Sequence, residues 1–195
     1  MSLALFDFDG TITSKDSMVE FIQYAVGKKN YYLGLLKLSP ILVAYKLKLY
    51  PNDRAKKKFL FHFFKDIPPQ EFQMLATQYA TNEIDKIVRK EAIERISWHK
   101  EQGDEVVIVS ASMACWLKAW CESNEIKLIA TELEISNNIF TGKFTTKNCY
   151  GEEKVNRIKS LYDIEKYSYV YAYGDSRGDR ELLALGDESF YKPFR

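Results

Sequence analysis

Leu3-Ala4-Leu5-Phe6-Asp7-Phe8-Asp9-Gly10-Thr11 is the stretch that decides the fold. Four apolar residues in a row are too few for a helix, and they end on a carboxylate. A parallel strand buried on both faces reads as such an unbroken apolar run. The acid and the glycine that follow mark where the chain leaves the sheet. Two later stretches repeat the pattern. Residues 105–109 (Glu-Val-Val-Ile-Val) run into Ser110-Ala111-Ser112, and residues 168–173 run into Gly174-Asp175. A shorter run at residues 127–130 precedes an expected β-hairpin, with strands at 132–136 and 139–145 about an Asn137-Asn138 turn.

Helical spacing fills the gaps. Residues 82–102 carry Ile84, Ile87, Val88, Ala92 and Ile96 on one face and stop at Gly103. Residues 112–123, with Trp116 and Trp120 one turn apart, predict a second helix. Residues 152–161 and 179–185 predict two more, the last closed by Gly186. Strands alternating with helices give an α/β class, a Rossmann-like doubly wound parallel sheet. Ligands in such sheets bind beyond the carboxyl ends of the strands, where all the polar loops named above lie.

Residues 15–80 break the alternation. They hold helical runs punctuated by Gly27, Gly34, Pro40, Pro51 and Pro68-Pro69, without a strand signal between them. The expected organisation is a core of residues 1–14 and 81–195 with a helical cap inserted at 15–80. Phe59, Phe61, Phe63 and Phe64 are expected in the core of that insert. The net charge of +1 conceals an asymmetry: residues 15–65 contain eleven Lys/Arg against three Asp/Glu. A basic module in an otherwise acidic chain suits an anionic ligand or surface. Its long apolar runs differ from the interleaved basic and aromatic surface of single-strand binders, so no nucleic-acid partner is expected. Three scattered cysteines and two histidines exclude a disulfide framework and a His-rich metal site. With no signal-peptide pattern at the start, the expected location is cytoplasmic, with peripheral contact at a membrane through the cap as an addition.

Four carboxylates follow two of the strands: Asp7 and Asp9 the first, Asp175 and Asp179 the third. If those strands are neighbours, the four converge. Like charges at close range require a proton or a cation between them. A hard, oxygen-ligated ion such as Mg²⁺ is the natural choice.

Asp7-Phe8-Asp9-Gly10-Thr11 resembles the first motif of the haloacid dehalogenase-like (HAD) hydrolase superfamily. Gly174-Asp175-Ser176-Arg177-Gly178-Asp179 resembles its fourth, Ser110 at a strand end its second, and Lys154 its third. The four occur in order and span the chain. The resemblance implies a Mg²⁺-dependent phosphatase with Asp7 as nucleophile and Asp9 as general acid and base. It implies Asp7, Asp9, Asp175 and Asp179 about the metal, that of Asp9 through its carbonyl. Ser110, Lys154, Gly10 and Thr11 would hold the phosphate, with Lys147 as an alternative to Lys154.

A helical insert between the first and second motifs is similar to the cap of the phosphoserine-phosphatase-like branch, subfamily IB. By that resemblance Asp16 would meet a substrate amino group, and Arg54 or one of Lys56, Lys57 and Lys58 a carboxylate. Residues 31–50 point elsewhere. Fourteen of the twenty are apolar and the only charges are Lys37, Lys46 and Lys48. That pattern is similar to relatives acting on phosphatidylglycerophosphate and suits an anionic membrane surface. The substrate expected is therefore a phosphorylated lipid or a small molecule, with phosphoserine as the alternative. A non-catalytic binding protein on the same scaffold is the reading from a different class. The oligomeric state is left open.

Overall fold

A computed structural model describes residues 1–136 and 139–195. The strands are β1 (Leu3–Phe6), β2 (Glu105–Met113), β3 (Lys127–Thr131), β4 (Leu133–Ser136), β5 (Ile139–Phe144), β6 (Val170–Gly174) and β7 (Glu188–Tyr191). Five of them form one sheet in the order β3-β2-β1-β6-β7, every pair parallel. The apolar opening run lies at its centre with all four residues buried. Its side chains alternate between the two faces, as strand geometry requires. Ala4 and Phe6 enter one hydrophobic cluster, and Leu3 and Leu5 enter the other.

Helices cover both faces. Ala92 and Ile96 of α5 (Lys90–Glu101) and Trp120 and Cys121 of α6 (Lys118–Ser123) pack into the first cluster. Ile158 of α7 (Glu152–Leu161) and Leu182 of α8 (Arg180–Leu183) pack into the second. The α/β doubly wound expectation holds. β4 and β5 pair antiparallel apart from the main sheet, as expected for the hairpin; its Asn137-Asn138 turn lies outside the described residues. β7 carries no signal strong enough to have been expected.

Four helices lie between β1 and α5: α1 (Ser17–Val26), α2 (Lys28–Lys46), α3 (Asn52–Phe64) and α4 (Pro69–Asn82). Gly27 and Pro51 separate helices as expected, but Gly34 and Pro40 sit inside α2. Gly34 is there because a Cβ would stand 2.3 Å from the Phe63 ring. Pro40 withholds the N–H that the Leu36 carbonyl would accept, and the Ser39 hydroxyl donates to that carbonyl instead, at 2.8 Å. Phe59, Phe63 and Phe64 are buried, whereas Phe61 is exposed and packs beside Gly142.

The helix expected over residues 82–102 is interrupted before α5. Residues 87–89 pair with the stretch leaving β1: Ser14 N–H donates to the Ile87 carbonyl at 2.7 Å, and Arg89 N–H to that of Ile12 at 2.8 Å. A long-range backbone pairing has overridden helical periodicity. It also fastens the loop that carries Asp9. The helix expected at 112–123 is likewise shortened, because β2 continues to Met113 before α6 begins at Lys118.

Candidate active site

β1 and β6 are neighbours in register, Phe6 beside Tyr173, and Asp7 N–H donates to the Tyr173 carbonyl at 2.9 Å. Parallel neighbours deliver their carboxyl ends to one place. Asp7 and Asp175 therefore emerge side by side, and the turn after β6 brings Asp179 back to them. One oxygen each from Asp7, Asp175 and Asp179 lie within 4.8 Å of one another.

Lys154, from α7, enters this cluster. Its Nζ donates to Asp7 Oδ1 at 2.6 Å and to Asp179 Oδ1 at 2.7 Å, and the side chain is 1% exposed. Thr11 Oγ1 donates to Asp7 Oδ2 at 3.0 Å. Asp179 closes a capping box with Ser176, accepting from its N–H at 3.0 Å and its hydroxyl at 2.7 Å. Burial drives the Asp7 carboxyl up to about 7, with the Lys154 ammonium pulling the other way. Burial alone would lower the Lys154 ammonium, but the carboxylates of Asp7 and Asp179 outweigh it and hold it above its ordinary value. Burial also acts upward on Asp179, yet Lys154 and the Ser176 bonds keep that carboxyl low.

The Asp9 carboxylate points away from this cluster. Oδ1 accepts from Ser17 N–H at 2.6 Å, at the start of α1, and Oδ2 accepts from the Ser112 hydroxyl. Burial, then the nearby charge of Asp16, raise it to about 6. Its carboxylate is not part of the group of oxygens from Asp7, Asp175 and Asp179 that lie within 4.8 Å of one another. Asp175 is paired with the Arg195 guanidinium, which also donates to the Gly10 carbonyl at 3.3 Å. Burial lifts the Asp175 carboxyl, and Arg195 opposes the rise.

Asp7, Asp9, Lys154, Asp175 and Asp179 line a cleft of about 280 Å³. Asp16 lies at its edge, capping α1 through the Val19 N–H at 3.0 Å. Ser110 is buried, its Oγ accepting from Ser112 N–H at 3.0 Å, and it does not line the cleft. Ser112 and Ala111 do. Gly10 N–H is directed to Thr13 Oγ1 at 3.3 Å, while Thr11 acts on Asp7 as described. Arg54 and Lys147 are exposed and are not among the residues lining this cleft, and Lys154 is the lysine that bonds to Asp7. Among the basic residues of the insert, Lys56 is the one in the cleft, its Nζ donating to the Ala111 carbonyl at 2.6 Å. Burial lowers its ammonium, against the charges of Asp9 and Asp16.

Sequence reading passed over Ser112, Ser17 and Arg195. Ser112 had one available signal, its place two residues beyond Ser110 on the same strand. The other two become neighbours of the site only through the fold.

The arrangement offers hard oxygen donors suited to Mg²⁺ from Asp7 and Asp175. A lysine already offsets part of their charge, and a second carboxyl, Asp9, is tuned separately. Residues 4–184 match the family described as haloacid dehalogenase-like hydrolase. The chain belongs to that family. Protein CicA of Caulobacter vibrioides is 31% identical over 197 residues, covering 99% of this chain and 86% of its own. A histidinol-phosphatase of Neisseria meningitidis is 25% identical over 210 residues, covering 96% and 88%. Among solved structures, a phospho-aspartyl intermediate analogue of phosphoserine phosphatase superposes with a TM-score of 0.70 at 18% identity, covering 97% and 85%. At that identity the likeness is one of fold. This HAD hydrolase thus has the phosphoserine-phosphatase-like architecture, with its helical insert between the first two strands of the sheet.

Proposed function

We propose that this hydrolase is a Mg²⁺-dependent phosphatase that cleaves a phosphomonoester through an aspartyl-phosphate on Asp7. The observation that carries the reading is the buried Asp7–Lys154–Asp179 chain at the carboxyl ends of β1 and β6, with Asp175 within 4.8 Å. Burying that much charge is costly without a purpose.

In this reading the Asp7 carboxylate attacks phosphorus, forming an Asp7 O–P bond as the ester P–O bond breaks. Asp9 gives its proton to the departing alkoxide. It then takes a proton from water, which attacks phosphorus and frees Asp7 and inorganic phosphate. A carboxyl near 6 serves both steps at neutral pH, and its bonds to Ser17 and Ser112 hold its orientation. Lys154 keeps Asp7 in place and offsets phosphoryl charge; an ammonium has three donors, two of them engaged here. Asp7, Asp175 and the backbone of Asp9 would hold the Mg²⁺, whose charge lets an anionic nucleophile approach an anionic phosphate. Residues 15–80 act as the cap over this cleft.

For the leaving group, a lipid phosphate such as phosphatidylglycerophosphate is favoured by a second cavity of about 300 Å³. Its walls include Val19, Leu42, Tyr45 and Phe59, and it shares Asp16, Met18 and Lys56 with the catalytic cleft. A lipid substrate also requires the cap to meet a membrane surface. A small amino-bearing monoester such as phosphoserine is favoured instead by the Asp16 carboxylate at the junction and by the named phosphatases it resembles. Phosphate release across lipid, amino-acid, sugar and nucleotide monoesters, with and without Mg²⁺, tests both. No Mg²⁺-dependent release from any of them rejects the phosphatase.

A further inference from the structure

Helix α2 is apolar on two sides. Tyr31, Gly34 and Leu38 face the protein and are buried. Away from it, Tyr32, Leu33, Leu36 and Val43, with Leu47 just past the end of the helix, keep between 48% and 72% of their surface exposed. At 3.6 residues per turn the four helical ones fall within an arc of about 100°. Lys37 and Lys46 flank that arc, each about 40° beyond an edge. Lys28 and Lys29 stand at its N-terminal end, and no Asp or Glu occurs anywhere from residue 21 to residue 52. Among the described residues none of these four lysines is in an ion pair. The helix carries more apolar surface than its packing uses, with a rim of one sign of charge.

We infer that the outer face of α2 seats the protein on an anionic lipid bilayer. A contiguous exposed apolar stripe marks an interaction surface. An anionic bilayer matches both parts of this one, acyl chains under the stripe and headgroup charge along the lysine rim. A second copy of the chain fits poorly, because a two-fold contact through this face would oppose lysine to lysine without an acid on either side. Among the described residues no helix is long and apolar enough to cross a membrane, so the contact is a peripheral one. The same helix turns Leu42 and Tyr45 into the cavity that adjoins the catalytic cleft. Docking by α2 therefore places a lipid monoester beside that opening. This last step alone rests on the phosphatase reading; the docking does not.

The test is co-sedimentation of the full chain with phosphatidylcholine vesicles, pure or with about a quarter phosphatidylglycerol. Hydrolysis of soluble p-nitrophenyl phosphate is measured on the same samples. The protein should sediment with the anionic vesicles, at least about tenfold more than with the neutral ones, and high salt should release it. Leu36→Glu with Val43→Glu should lower binding by about tenfold or more. Lys28→Ala and Lys29→Ala should each lower it about fivefold. All of these residues lie outside the cleft, so p-nitrophenyl phosphate turnover should not change. The inference is overturned if wild type ignores anionic vesicles at low salt, or if the double Glu variant binds as well as wild type. It is equally overturned if the chain sediments alone as a dimer that the Glu variant dissociates. Vesicle binding by a chain that releases phosphate from none of the monoesters named above would support the docking and reject the phosphatase.

Discussion

Replacing Lys154 with Met removes the positive charge from a site that holds two carboxylates at 2.6 and 2.7 Å. Methionine fills nearly the same volume, so the change tests charge more than packing. The side chains left behind are 9% exposed for Asp7 and 2% for Asp179, and water cannot readily replace the lost ammonium. Breaking a buried pair by deleting one partner costs about 3–5 kcal/mol. For a chain of this length that lowers Tm by about 6–20 °C. The deficit must depend on pH. Without Lys154, burial acts on Asp7 without its main opponent and on Asp179 against the Ser176 bonds alone, so both folded-state values should rise, that of Asp7 furthest above its unfolded value. The folded variant then holds protons that the unfolded chain has released, and its stability falls as pH rises from about 4. Wild type has Asp179 shifted the other way. Thermal unfolding followed by circular dichroism in EDTA should show a larger loss at pH 8 than at pH 5, and Mg²⁺ should restore part of it. A loss under about 1 kcal/mol at pH 8, or an equal loss at both pH values, would refute the shared dry site.

Asp7→Asn should lower kcat by about a thousandfold or more while the fold survives, because Lys154 keeps Asp179 as a partner; activity within about tenfold of wild type would contradict the nucleophile. Mg²⁺ affinity measured by calorimetry should fall about tenfold per pH unit below 7 and level off above it, since a protonated Asp7 cannot ligate. A flat profile from pH 5 to 8 would separate Asp7 from the metal. Arg195→Ala should tighten Mg²⁺ binding by up to about fivefold, because the guanidinium on Asp175 is a half-exposed competing cation; unchanged affinity would show that the pair gives way without cost.

Much of the site was legible in the chain because its chemistry is local. Asp7, Asp9, Asp175 and Asp179 each follow or cap an element whose apolar pattern is unmistakable, and parallel strands deliver their carboxyl ends to one edge. The same pattern settled the α/β class and the helical nature of residues 15–80. What depends on distant pairing was not legible. The break before α5 follows from residues 87–89 bonding to residues 12–14. Pro40 stays helical because Ser39 satisfies the Leu36 carbonyl, and Gly34 because Phe63 lies where a Cβ would be. That Lys154 and not Lys147 meets Asp7, that Lys56 among the named cap cations enters the cleft, and that Ala111 and Ser112 line it are matters of side-chain direction.

By itself, the order of residues determined which groups are available and at which ends of which elements, since hydrophobic periodicity is written locally along the chain. Only the tertiary structure decided which oxygen each ammonium meets, and which face of α2 is left without a partner. Both depend on residues far apart in the chain coming within a few ångströms, and no local pattern encodes that distance.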